Sequence, residues 1–254
     1  MASSKGQSSR QKMINLMYLV FIAMLALNVS SEVLDGFDLI NDNLLQTIDN
    51  TTVRNNQIYS ELSDSYQKNP TKTKEWYERA VEVRNNTDSI FNYIQYLKLE
   101  IAKYSDGKDA NPNDLDKKDD LDAASEIMLS PVGGQGKKLK KSLDDYRERV
   151  VTLISDTAKS RVIRNGLSTE LSDRSLRNEK TDWVTASFEG MPSIAVLTYL
   201  SELQLNIKQA EGEALTSLLK NVDFSDLRVN DVQAFVIPES NMVMRGESYK
   251  ARIV

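Results

Sequence analysis

The sequence predicts a mainly α protein: a single transmembrane helix continuing into a periplasmic four-helix bundle, followed by the start of a truncated β-sandwich-like domain. Three observations carry this prediction. The first is an uncharged run of 19 residues, Met13 to Ser31, which as a helix rises about 28 Å, close to the hydrocarbon thickness of a bilayer. The second is the scarcity of Gly and Pro within long stretches whose apolar residues recur every three or four positions. The third is a change to strand-like alternation after Val222. The division that follows is a cytoplasmic tail over 1–12, the span over 13–31, the helical bundle over 32–221 and an incomplete β-domain over 222–254.

The flanks orient the span. Lys5, Arg10 and Lys12 precede it without an acid, and Glu32, Asp35 and Asp38 follow, so the positive-inside rule places the N-terminus in the cytoplasm and the bulk of the chain on the far side of the inner membrane. Lys5 and Lys12 are read as topology determinants. A cleaved signal peptide is the competing reading, because Leu16 to Leu27 also has the length of a signal core. Its exit, Ala26-Leu27-Asn28-Val29-Ser30, lacks the small-residue cleavage pattern, which favours an uncleaved anchor. The next longest uncharged run, Gly190 to Ser201, has 12 residues, the length of a core helix, so one pass is expected.

Beyond the span, Gly36 is the only helix breaker before Pro70, and Val33, Phe37, Ile40, Leu44 and Ile48 form a stripe. One long helix is expected to leave the membrane, with Gly36 as its candidate hinge. Asn69-Pro70-Thr71 ends it and opens a second helix to about Ser105, with Ala80, Val83, Ile90, Ile94, Leu97 and Ile101 inward. After a polar stretch and a Gly-rich turn, a third helix is expected from Lys137 to about Arg164, through Leu139, Leu143, Tyr146, Val150, Leu153 and Thr157. Pro192 opens the fourth, through Leu197, Leu200, Leu203, Ile207, Ala210, Ala214 and Leu218. Four such stripes pack most economically as a bundle. The strands expected next are Val232 to Ile237, Met242 to Met244 and Tyr249 to Ile253, with a turn over Pro238 to Asn241. A sandwich needs about seven strands, so the chain reads as cut inside a β-domain.

Composition removes several chemistries. With no His and no Cys in 254 residues, there is no imidazole base, no thiol nucleophile and no Cys/His metal cage. A net charge of −5 argues against nucleic acid as a partner. Neither a cofactor nor a metal is implied. Asp109, Asn111 and Asn113 have the spacing that begins a calcium loop, but Asp114 stands where the turn glycine belongs and Asp120 where the bidentate Glu belongs. Gly133, Gly134 and Gly136 before Lys137 lack the strand and the Ser or Thr of a phosphate loop, and read as the turn that opens a helix. Trp76, Tyr77, Tyr93, Tyr96 and Tyr104 are read as core and dimer-contact aromatics.

The string Arg10-Gln11-Lys12-Met13-Ile14-Asn15-Leu16-Met17-Tyr18-Leu19-Val20-Phe21-Ile22-Ala23-Met24-Leu25-Ala26-Leu27-Asn28-Val29-Ser30 closely resembles the N-terminus of the GldM/PorM family, the gliding-motility and type IX secretion proteins of Bacteroidota. Glu32-Val33-Leu34, the Gly-rich approach to Lys137, and Trp183 with Phe188 and Pro192 resemble that family too. The resemblance implies a dimeric, single-pass inner-membrane protein with a helical first periplasmic domain and several β-domains. It also implies a polytopic partner, GldL/PorL, with which family members form a motor driven by the proton gradient. The distal domains are expected to reach outer-membrane-associated secretion components.

A proton-driven motor needs an ionisable group in the membrane, and the polar members of this span are only Asn15, Tyr18, Asn28, Ser30 and Ser31. The proton-carrying carboxylate is therefore expected on the partner. Arg10, with Asn15 and Tyr18 one and two turns deeper on roughly the same face, is the expected membrane partner contact. Two readings from other classes compete: a single-pass sensor or structural tether with a helical ectodomain, and a membrane-anchored carboxylate hydrolase. The first lacks an output domain in the dozen residues before the span, and for the second nothing places two carboxylates in a cleft. No catalytic residue is assigned.

Overall fold

The computed structural model describes residues 9–27, 31–131, 133–154, 156–171, 182–225, 236–238 and 251–253. Helix α1 covers Ser9–Leu27, α2 Ser31–Lys68 and α3 Pro70–Asp106. The short α4 covers Ala123–Leu129, α5 Gly136–Thr152, α6 Thr157–Gly166, α7 Trp183–Phe188 and α8 Ser193–Ser225. Two strands follow, β1 Val236–Pro238 and β2 Ala251–Ile253, paired antiparallel with Val236 opposite Ile253.

The bundle is built on α2, α3 and α8. Along α2 the buried positions are Leu34, Asn41, Ile48, Asn55 and Leu62, a seven-residue spacing that sets one side chain every two turns against a neighbouring helix. Proline at the first position of α3 lets the chain reverse directly after Lys68, because a helix leaves that N–H unused anyway. Cross-bonds give the directions: Phe37, Asn41 and Asn55 meet Thr198, Ser201 and Lys208 in turn, so α2 and α8 run parallel. Lys98 meets Ser201 while Asp88 meets Lys208, so α3 runs antiparallel to both. With 38 residues, α2 is about 57 Å long, and the bundle is a strut. Its larger core joins Val83, Ile94, Leu97, Leu143, Phe188 and Leu197; a smaller one at the far end joins Leu62, Ala80, Leu215, Leu218 and Val222.

The expected third helix is two. α5 ends at Thr152, and Asp156 starts α6 by accepting hydrogen bonds from the Ala158 and Lys159 amides, an N-cap that satisfies the orphan donors of a new helix. The reversal is required by topology. α5 runs parallel to α8, with Gln135 beside Tyr93 and Tyr146 beside Ile207, yet α8 must begin at the opposite end, where Thr198 meets Phe37. α6 carries the chain back, with Lys159 beside Glu213 and Gly166 beside Asn206.

Other expectations also change. The described residues include no helix long and apolar enough to cross a membrane. Within them α1 closes at Leu27, leaving fifteen uncharged residues from Met13, about 22 Å of helix; positions 28–30 of the expected 13–31 span lie outside the described residues. α8 continues to Ser225, past the expected change of period at Val222. β1 takes in Pro238, expected in a turn, and the expected strand Met242 to Met244 lies outside the described residues. Among the described residues the β-structure is one two-stranded pair, and a β-sandwich is not seen there. Of the aromatics read as core and dimer contacts, Tyr96 and Tyr104 are exposed and so not part of the core, whereas Tyr77 stacks on Tyr66 with ring centroids 4.6 Å apart.

Candidate functional site: the N-terminal helix and the polar seam of the strut

α1 carries the residues singled out for membrane contact. Arg10, Lys12, Asn15 and Tyr18 are all exposed on it, as are the apolar side chains from Met13 to Ile22. Asn15 and Tyr18 are three residues apart and share a face. Arg10 and Asn15 are five apart, about 140° around the helix, so they do not share one. The neighbour of Asn15 is Gln11, whose Nε2 donates to Asn15 Oδ1 at 3.2 Å. Lys5 lies outside the described residues. Gly36 lies inside α2, which runs unbroken through it, and a Cβ there would meet nothing within 4 Å.

The Gly-rich turn is a packing device. A Cβ on Gly136 would collide with Val184 Cγ1, and one on Gly134 with the Ser130 carbonyl, so only glycine admits α7 and α4 this close to the start of α5. In the acidic loop, Asp106 accepts from the amides of Asp116 and Lys117, and Asp120 from those of Asp122 and Ala123. These carboxylates hold turns.

Sequence reasoning missed the interior of the strut, where buried polar side chains bridge the helices. Lys98 on α3 is fully buried and donates from Nζ to Ser201 Oγ at 2.8 Å and to Gln204 Oε1 at 3.5 Å. Ser201 in turn donates to Asn41 Oδ1 on α2 at 2.6 Å, so one chain of hydrogen bonds crosses three helices. Gln204 donates to the Phe91 carbonyl and to Gln95 Oε1. No carboxylate is among the described contacts of Lys98, and burial pushes its ammonium down to about 8, because a low-dielectric interior disfavours the charged form. Two turns further along, Lys208 pairs with buried Glu211 at 3.1 Å and with Asp88 at 3.4 Å. Asn55 Nδ2 donates to the Lys208 carbonyl at 2.7 Å and to Glu211 Oε2 at 3.0 Å. Thr198 donates to the Phe37 carbonyl at the near end. Beside this seam, Tyr146 donates to the Ile207 carbonyl, and burial raises its hydroxyl pKa well above the phenolic range.

Each layer links α2 to α8 at a particular turn. An apolar heptad stripe alone tolerates a slip by seven residues; a buried polar group does not, because slipping strands it without a partner. The seven-residue spacing of Asn41 and Asn55 among Leu34, Ile48 and Leu62 was the available signal. Lys98 and Lys208 gave none, since lysine in a helix ordinarily faces water.

The fold therefore defines a helical-strut protein whose chain begins with an apolar helix and, after the strut, includes a short antiparallel β-pair. Residues 32–221 match the family model of the GldM N-terminal domain, and residues 223–254 that of the GldM second domain. The chain belongs to the GldM family, which is associated with gliding motility and type IX secretion. Comparison with curated proteins returned no match.

Proposed function

We propose that this chain is a membrane-anchored subunit of a proton-motive-force-driven motor that powers type IX secretion and gliding, and that its strut carries motion from the inner membrane into the periplasm. One observation bears most of this reading. Polar layers hold α2 along α8 in one register from Phe37 to Asn55, so a displacement applied at the Ser31 end of α2 is delivered as a rigid movement to the far end. There α8 closes on α2 through Leu62, Leu215, Leu218 and Val222, just before the stretch that matches the second domain.

In this reading α1 anchors the chain as a single-pass span, with Lys5 and Lys12 setting a cytoplasmic N-terminus and the bulk in the periplasm. The stretch after α8, within the residues 223–254 that match the second-domain model, begins a β-domain through which periplasmic and outer-membrane-associated components are reached. Two copies act together. The partner is a polytopic GldL/PorL-type protein that carries the proton-binding carboxylate, and Gly36 is the hinge between span and strut. Arg10 meets that carboxylate from the cytoplasmic edge, with Tyr18 and Asn15 deeper on the helix. Holding a charge toward the bilayer centre costs about 2.5 to 3.5 kcal/mol, so Arg10 stays there only with a partner, and a guanidinium grips a carboxylate bidentately where an ammonium does not.

The test is Arg10→Ala in cells at native abundance. Insertion and complex formation should persist, because Lys5 and Lys12 still specify topology, while secretion and gliding are lost; Arg10→Lys should be clearly impaired. Normal secretion and gliding with Arg10→Ala would return Arg10 to an ordinary topology determinant.

A further inference from the structure

Where α2, α7 and α8 meet near the start of the strut, they leave an open groove of about 500 Å³. Its floor is aromatic: Trp183 packs edge-on to Phe188 at 5.6 Å and tilted against Tyr199 at 6.4 Å, and Phe37 closes one side. On its lip, Ile40 is 51% exposed and Met191 40% exposed. Large apolar side chains left in water beside a preformed aromatic floor are the usual mark of a binding surface rather than of random exposure. Among the described residues the charge of the lining is one-sided. Glu170 and Glu202 both line the groove, no Lys or Arg does so among the described residues, and neither of these carboxylates is in an ion pair with a described residue.

That combination selects an occupant. A second copy docking on this face by a two-fold axis brings the same patch against itself, which sets four carboxylates, none ion-paired to a described residue, around one apolar contact, an arrangement that costs several kcal/mol. An anionic lipid surface is repelled for the same reason. We infer that the groove docks an amphipathic peptide segment of a different protein, one that places apolar side chains against Trp183 and Tyr199 and a Lys or Arg between Glu170 and Glu202. The rigid floor keeps the ordering cost of such a contact low, and the carboxylates give it orientation. This inference does not depend on the motor reading, since the groove would serve a tether as well.

Photo-crosslinking in cells tests it. Met191 is replaced by p-benzoylphenylalanine in the full chain, with Val162, exposed on α6, replaced in a separate chain as the control position. The expected product from position 191 joins another protein, through a peptide carrying Lys or Arg next to apolar residues, and is absent from position 162. Adding Glu202→Lys to the position-191 chain should lower the yield at least about tenfold, as like charge at a rim does, and changing the partner's cation to Glu should restore it. Because Glu202 is exposed, the melting temperature should not move; if it does, Glu202→Gln with Glu170→Gln serves instead and should lower the yield severalfold. A product with a second copy, with residues 172–181 of the same chain or with lipid would overturn the inference. So would the absence of a product, or a yield indifferent to these substitutions.

Discussion

Among the described residues two lysines, Lys98 and Lys208, are buried in the strut, and they are buried for opposite reasons. Lys208 lies against Glu211 and Asp88 and over the Phe91 ring at 5.3 Å, so its charge is met. Lys98 is surrounded by a serine hydroxyl and a glutamine oxygen, and its charge is only solvated. The Lys208 layer is an ion pair whose halves need each other. The Lys98 layer costs stability, and what it contributes is connection, because its hydrogen bonds run from α3 through Ser201 to Asn41 on α2. A buried polar group retained at a net cost is most readily understood as a device for register.

Replacing each lysine by the isosteric apolar residue separates the two roles most sharply. Lys208→Met leaves the Glu211 carboxylate, itself buried, without its cation, and should destabilise the chain by about 3 to 5 kcal/mol. Lys98→Met removes an unmatched charge and leaves no carboxylate behind, so it should stabilise by about 1 to 3 kcal/mol. Denaturant unfolding of the full chain in detergent measures both. Two changes of the same sign would abolish the distinction. A stabilised Lys98→Met chain that secretes poorly would sharpen it, since a strut stronger overall but looser in register transmits less.

The pH dependence separates the layers next. Lys98 has a folded pKa of about 8 against an ordinary 10.5. Below pH 8 it is charged in both states, and the burial penalty is fully present. Between about pH 8 and 10 the native chain has released this proton while the unfolded chain still holds it, so stability rises with pH, on the order of 2 kcal/mol in total. Above about pH 10 the sign reverses. Tyr93, pushed up to about 12 by burial, and Tyr146, raised further, stay neutral in the fold while the unfolded chain ionises. Unfolding midpoints measured from pH 7 to 11 should therefore rise and then fall, and Lys98→Met should remove the rise alone. A rise that persists in Lys98→Met would place its source elsewhere.

The same contrast explains what could be read from the sequence. α3 was legible nearly to the residue, because Pro70 marks its start and Ala80, Val83, Ile90, Ile94, Leu97 and Ile101 repeat with helical spacing to Ser105. The break after Thr152 was hidden, since Leu153 and Thr157 kept the apolar rhythm while Asp156, a strong N-cap, carried the contrary signal. α4 and α7, with 7 and 6 residues, are too short for a period to register. The polar seam was legible only at Asn41 and Asn55, through their seven-residue spacing. Lys98 and Lys208 are solvent-facing types by composition, and only the tertiary arrangement of three helices gives them partners.

The smallest expected effect probes how tightly the Lys208 layer is built. Gly212 sits inside α8, where alanine is ordinarily about 1 kcal/mol better than glycine. A Cβ at that position, however, would stand 2.5 Å from Asn55 Oδ1. That oxygen is buried and has no hydrogen-bond partner among the described residues, while the amide nitrogen beside it is held by the Lys208 carbonyl and by Glu211. Asn55 cannot swing away from a new methyl without losing those two bonds, each worth about 1 kcal/mol net. Gly212→Ala should therefore destabilise by about 1 kcal/mol, against the propensity scale. Asn55→Ala should destabilise on its own, because Glu211 loses a donor, but Gly212→Ala added to it should become neutral or favourable, since the obstruction has gone. The coupling in this double-mutant cycle is the measurement. Additive effects would mean that Asn55 moves freely and that α2 is held to α8 at this layer by the apolar contacts alone.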